Sequence, residues 1–210
     1  MAARRYRRRY KRRRVVRKRA FKSFAKKVYR AVRYKSEKKQ VLRATANAGI
    51  SIQSSGVLDH VNRVDQGAGK DQRIGNKIRG RFLKFKMILS NNTVAGTVVR
   101  VSIVRGRTSN LAIGDAPTNN LVQLWDIDKW QVLYDRNVGL NDMVSYNPDT
   151  VGVRNYIWEK SFRVPWEQLF DGSSGISQTT NPVFLFLAAN DSVLPSPVAY
   201  YSYAFSFTDI

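Results

Sequence analysis

The 210-residue chain contains no cysteine, which excludes disulfides, thiolate metal centres and a cysteine nucleophile. Its single histidine, His60, falls in a short strand-like segment with no cysteine or second histidine to join it, and a lone strand histidine is expected to be structural. Glutamate is almost as scarce, with only Glu37, Glu159 and Glu167. Asp126 and Asp128 in LWDIDKW share a face if that segment is extended. Two carboxylates fall far short of the oxygen shell that Ca²⁺ takes, so a solvated loop pair is expected. Long apolar runs are missing too. No stretch of about twenty apolar residues spans a membrane, and the N-terminus has neither the apolar segment nor the cleavage site of a secretory signal. The loop QGAGKDQRIGN, from Gln66, holds three glycines but lacks the Lys-Ser/Thr ending of a phosphate loop and the helix of a dinucleotide site. Gly67, Gly69 and Gly75 are expected to permit positive φ or close backbone approach. No catalytic residue, metal site or cofactor is assigned.

Acidic residues are nearly missing from the first fifth of the chain. Residues 1–43 hold 21 Lys/Arg against Glu37 alone, a net of +20, whereas residues 44–210 hold 16 Lys/Arg against 14 Asp/Glu, a net of +2. A block of like charge repels itself and has too little apolar surface to offset its ordering entropy, so alone it stays unfolded. Solubility needs only a modest net charge. The block therefore reads as a polyphosphate-binding arm, in which each neutralised phosphate releases a counterion. The cations assigned to this role are Arg4, Arg5, Arg7, Arg8, Arg9, Lys11, Arg12, Arg13, Arg14, Arg17, Lys18, Arg19, Lys22, Lys26, Lys27, Arg30 and Arg33. Through residue 19 there are ten Arg and two Lys, and the planar guanidinium fork suits phosphate and base stacking better than a point charge does. Tyr6 and Tyr10 interrupt the run at positions where they could stack on single-stranded bases. RRYRRRYKRRR followed by VVRKR also fits a nuclear-import signal.

Residues 15–35 change character. Phe21, Phe24, Val28 and Val32 recur at helical spacing among Lys18, Lys22, Lys26, Arg30 and Arg33, which predicts a short basic amphipathic helix over about 18–34. Such a helix docks on nucleic acid, packs beneath a folded domain or lies on a membrane surface. Ordering on nucleic acid or on the domain is favoured, and membrane binding is not expected. The arm is bounded at 1–39, and the rest at 40–210.

From residue 40 the period becomes two, and a hydrophobic fraction of 43% is enough for a core. Eight strands are expected. The first is a long one, QVLRATANAGISI, with Leu42, Ala44, Ala46, Ala48, Ile50 and Ile52 on one face. A short second strand follows in GVLDHVNRV. KIRGRFLKFKMILS places Leu83, Phe85, Met87 and Leu89 on one face and Lys84 and Lys86 on the other. TVVRVSIVRGR is the fourth, KWQVLYDR the fifth (Trp130, Val132, Tyr134) and NYIWEKSFRVPW the sixth (Tyr156, Trp158, Phe162, Val164). PVFLFLAAN is continuously apolar, as in a strand covered on both faces. YYSYAFSFTD closes the set with Tyr201, Tyr203, Phe205 and Phe207 on one face. Strands separated by turn residues with no long helical period predict an all-β, eight-stranded antiparallel sandwich, most naturally a jelly roll, carrying the basic arm. The connections at 106–129 and 137–152 are expected as exposed recognition loops. Arg73, Lys77, Arg79 and Arg81 form a second basic cluster, facing phosphate or pairing with carboxylates of a neighbouring copy.

An Arg-rich arm followed by an eight-strand domain, with QGAGKDQRIGNKI between its second and third strands, resembles the capsid proteins of small circular single-stranded DNA viruses, the circovirus-like and nanovirus-like group. The resemblance runs through the whole chain in order of features, and QG…RIGNKI is its most specific piece. It implies a jelly-roll subunit, about sixty copies of which close a small T=1 icosahedral shell. It further implies arms directed onto a single-stranded DNA genome, a nuclear-import receptor for the arm, a host-cell receptor for the shell, and residence in the virion and the host nucleus. The competing reading is a cellular nucleic-acid-binding protein of ribosomal or chromatin type.

Overall fold

The computed structural model describes residues 38–91, 96–108, 111–117, 121–140, 155–174, 178–190 and 196–210. Alternation of apolar and polar side chains produces ten strands among them. They are β1 (Lys38–Ala44), β2 (Ile50–Ser51), β3 (Val57–His60), β4 (Lys77–Ser90), β5 (Thr97–Gly106), β6 (Trp130–Leu140), β7 (Asn155–Arg163), β8 (Glu167–Leu169), β9 (Val183–Ala189) and β10 (Val198–Asp209), with one 3-10 turn at Ile113–Asp115. One sheet has the order β1-β10-β4-β7, with β2 added to β10 and β8 to β4; the other has the order β3-β9-β5-β6. Every pairing between strands is antiparallel. With the two short strands set aside, eight strands numbered along the chain pair as 1-8-3-6 and 2-7-4-5. Each sheet thus draws strands from both halves of the chain, the interleaved Greek-key order of a jelly roll. The all-β sandwich expected from the pattern is the fold.

The main core lies between the sheets. Leu83, Phe85, Met87 and Leu89 of β4, and Tyr201, Tyr203, Phe205 and Phe207 of β10, all point inward. They meet Val99, Val101 and Ile103 of β5 and Leu185 and Leu187 of β9. A second cluster lies on the opposite side of the four-stranded sheet. Val104, Phe184, Phe186 and Ala188 there pack under Ala116, Trp125 and Trp130. Trp125 meets Trp130 at 5.4 Å and Phe186 at 5.2 Å, both edge-on, the arrangement the ring quadrupole favours. The connection from β5 to β6 covers this sheet through Ala116 and Trp125, while most of its other described residues are exposed as expected. That cover is why β9 is apolar at every position.

Three sequence expectations change. The segment 40–52 is two strands with a turn between; in β1 the buried side is the other one, Val41 being 5% exposed and Leu42 72%, whereas beyond the turn Ile50 and Ile52 lie on the core as expected. The turn closes with the Gly49 N–H on the Ala46 carbonyl at 2.9 Å. Gly49 has φ +70°, and a Cβ there would lie 2.4 Å from the Val198 side chain, so only glycine fits. In β6, Ile103 faces Tyr134 and Val104 faces Val132, leaving Leu133 as an extra residue. This bulge turns Trp130 to the outer cluster and Tyr134 to the main core. The sixth expected strand stops at Arg163, short of Pro165, which has no N–H to donate, and β8 follows as a separate short strand beyond the expected segment.

β1 begins at Lys38, two residues before the expected domain start, and Lys38–Ile210 form one compact unit. Lys39 is accommodated because its ammonium, buried among β1, β10 and the β3–β4 loop, donates to the Gln72 carbonyl at 2.9 Å. It also stands 2.9 Å from Asp209 Oδ2, an ion contact whose angle falls outside hydrogen-bond geometry.

Candidate nucleic-acid interface

A cation on a β domain can reach phosphate only if the pleat turns it outward and its donors are not already taken. The cluster Arg73, Lys77, Arg79 and Arg81 divides on this test. Arg73 is fully buried. Its guanidinium donates to the carbonyls of Val64 (3.1 Å), Gly75 (2.5 Å) and Gly172, and to Asn76 Oδ1 (3.2 Å). It also lies 4.3 Å over the Phe170 ring. Burial lowers its pKa, against the opposing pull of Asp65 and Asp209. Arg73 is thus a clamp that ties the β3–β4 loop to the segment after β8, and its donors do not face solvent phosphate.

Lys77 and Arg79 do point outward, and both hold Glu167, at 2.7 and 2.6 Å. Hydrogen bonds from Lys77 and then Arg79 hold the Glu167 carboxyl below the usual range. The carboxylate thought of as a neighbour's is supplied by the same chain, and the trio keeps a charge of +1. Arg81 is the extra residue of a second bulge, where β10 pairs Ser206 with Phe82 and Phe207 with Gly80; its carbonyl accepts from the Val164 N–H at 3.0 Å. The arm cations Arg4 to Arg33, with Tyr6, Tyr10 and the helix expected at 18–34, lie outside the described residues, as does 141–152 of the second expected connection, whose residues 137–140 belong to β6 instead.

His60 Nε2 donates to Asn62 Oδ1 at 2.9 Å and Gln178 Oε1 at 3.0 Å, and its ring lies against Phe184 at 5.1 Å. Burial pushes its pKa down to about 4, so the ring is neutral at pH 7 and joins β3 to the segment before β9. Asp126 Oδ1 accepts from the Asp128 N–H at 2.9 Å, a turn closed by its own side chain, and both residues are exposed. Among the described residues no group of three or more His, Cys, Asp or Glu could hold a metal ion. The loop glycines are not at positive φ, which falls instead at Gly49, Gly56 and Gly172. Close approach does apply to Gly67, where a Cβ would lie 2.1 Å from Gln72 Oε1.

Sequence reasoning missed a polar network that holds the cover of the four-stranded sheet. Arg100 grips Asp135 at 2.9 and 2.6 Å and donates to the Gln123 carbonyl at 2.7 Å. Ser102 Oγ also donates to Asp135, at 2.7 Å. Burial alone would raise the Asp135 pKa, but the hydrogen bonds from Arg100 and Ser102 outweigh it and hold the carboxyl below its ordinary value. The signal available in sequence was weak: Arg100 and Ser102 are two polar positions, alternating with valines and an isoleucine, in a strand that also carries Thr97 and Arg105.

No protein-family model and no curated protein matches this sequence. Among solved structures, the infectious bursal disease virus Gx strain aligns with a TM-score of 0.34 and 10% identity, over 82% of this chain and 32% of that one. Desmodium yellow mottle tymovirus aligns with a TM-score of 0.33 and 11% identity, over 82% of this chain and 86% of that one. This chain therefore spans about a third of the first. Likenesses this distant carry no functional weight, and the fold assignment stands on the strand order itself.

Proposed function

We propose that this chain is the capsid subunit of a small single-stranded DNA virus of the circovirus-like or nanovirus-like group. About sixty copies close an icosahedral shell, and the Arg-rich arm packages the genome. The observation that carries this reading is the partition of charge: +20 in residues 1–43 and only +2 in residues 44–210. The jelly-roll strand order beyond the arm supports it, because that architecture serves shells assembled from edges and loops.

The mechanism follows from polyelectrolyte physics. Arms of about +20 on about sixty subunits neutralise on the order of 1,200 phosphates, with counterion release as the driving force. Phosphate contacts carry no base readout, so packaging is not selective for sequence. The same arm, presented before assembly, serves as the nuclear-import signal.

The test is a chain lacking residues 1–35. The residues that bury the described core all lie at or beyond Lys39, so the domain is expected to fold, with its β-type circular dichroism retained, while nucleic acid no longer copurifies with particles. Full packaging by the truncated chain would overturn the proposal.

A further inference from the structure

Residues 38–210 carry 19 Lys/Arg against 14 Asp/Glu, a net of +5. That excess is concentrated on one surface. Strand alternation and register turn Lys38, Lys77, Arg79, Lys84, Lys86 and Arg163 to the outer face of the six-stranded sheet, against only Glu159 and Glu167. This single face therefore accounts for +4 of the +5.

The relief of the face is equally specific. Its central strand β10 presents the short side chains Ser202, Ala204 and Ser206, while Gln40 and Leu42 on one side and Phe82, Lys84 and Lys86 on the other are longer. The result is a groove of about 410 Å³, with Leu42 and Ala44 on one bank and Lys84, Lys86 and the single carboxylate Glu159 on the other. Apolar side chains lie open beside the cations, Leu42 at 72% and Phe82 at 44% exposure. Lys84 and Lys86 are two residues apart on one strand, about 7 Å along it.

We propose that this outer face is a second contact surface for single-stranded nucleic acid, with Lys84 and Lys86 on phosphates and Phe82 and Leu42 against bases. The inference rests on the reading of the chain as a genome-packaging protein and adds a folded contact to the arm. Cations bordering open apolar side chains are the combination that binds single strands without sequence readout. Charge argues against two other occupants. A second copy meeting this face through its own would oppose +4 with +4. The apolar stripe at Phe21, Phe24, Val28 and Val32 is itself flanked by Lys and Arg, so docking it here would also bring like charges together.

The experiment measures binding of fluorescent oligothymidylate to the full chain as a function of salt, for the unaltered protein and for Lys84→Gln/Lys86→Gln. Each single-strand phosphate contact contributes about 0.7 to the slope of log affinity against log salt, so losing two lowers it by about 1.4. Near 0.15 M salt the same loss weakens binding on the order of tenfold. A control, Arg107→Gln/Arg136→Gln, removes two exposed arginines of the other sheet and its cover and is expected to leave the slope unchanged. An equal drop in the control overturns the proposal. So does an unchanged slope in the double lysine variant; if neutralising the arm then abolishes binding, the packaging reading survives alone. If neutralising the arm changes nothing either, the packaging reading fails with it. Altered particle size with an unchanged slope would assign the face to a contact between copies and also overturns the proposal. Ultraviolet crosslinking of the unaltered chain provides a measurement free of folding artefacts: adducts at Phe82 or Tyr200 support the surface, and adducts confined to residues 1–37 contradict it.

Discussion

Phe184, Phe186 and Val104 on the outer side of the four-stranded sheet lie under Trp125 and Trp130, whereas Leu42, Phe82 and Ile157 on the outer side of the six-stranded sheet are open to solvent. The first face is made of large apolar side chains, closed by the β5–β6 connection and fastened by Arg100 and Asp135. The second alternates lysines with small residues and isolated apolar ones, and it holds most of the domain's excess charge. A face built to be buried inside its own domain gains stability from that burial. A face left charged gains nothing for folding and is free to meet a polyanion. The two sheets share one core and divide the remaining tasks.

The sharpest way to break this comparison is to remove matched side chains from each face. Trp130 is 1% exposed and its Nε1–H donates to the Asp115 carbonyl at 3.0 Å. Trp130→Ala is expected to cost about 3–5 kcal/mol in urea unfolding, and Ile157→Ala no more than about 0.5 kcal/mol. Equal costs would mean that the six-stranded sheet is covered after all.

Next in size is Arg73→Met, which keeps the volume but removes every donor. The carbonyls of Val64, Gly75 and Gly172 lose their partner, and a loss of about 3 kcal/mol is expected in the same assay. Substituting the outward-facing lysines instead, as in Lys84→Gln/Lys86→Gln, is expected to shift stability by no more than about 0.5 kcal/mol. A comparable loss from both would refute the division of the basic residues into a buried clamp and an open surface.

The acid response separates the covered side further. His60 beside Phe184 has its pKa lowered to about 4 against about 6.5 in an unfolded chain, so between these values the unfolded state binds the extra proton. Stability is therefore complete above about pH 6.5, falls as pH drops toward 4, and is flat in this group below that. The loss amounts to about 3 kcal/mol over the window. His60→Gln is expected to remove that portion of the pH dependence in urea titrations at pH 7 and pH 4.5. An unchanged pH dependence would contradict the buried, neutral histidine.

Much of the fold was legible because long strands with large side chains declare their period. LKFKMIL and YSYAFSF each name a buried face, and VFLFLAA names a strand with two. The first strand misled because ATANAG alternates in alanine, which fits either face and also a turn; only Gly49 in its close contact with Val198 shows where the chain reverses. Trp130 and Tyr134 read as neighbours on one face, and a single extra residue, Leu133, put them on opposite ones. Arg73 looked like one more surface cation, since its burial depends on carbonyls from residues 64, 75 and 172 that only the fold assembles. Lys84 and Lys86 were readable as one face of a strand. That β10 would set its smallest side chains beside them was not, because that pairing spans more than a hundred residues.

The most direct measurement is made on the full chain, expressed, purified by size and imaged by negative-stain electron microscopy, with the 260/280 nm absorbance ratio read on the same fraction. Uniform small closed particles with the absorbance of nucleic acid are the predicted result. A small soluble species that stays unassembled across salt and pH with single-stranded DNA supplied would contradict the capsid reading and point to a cellular nucleic-acid-binding protein.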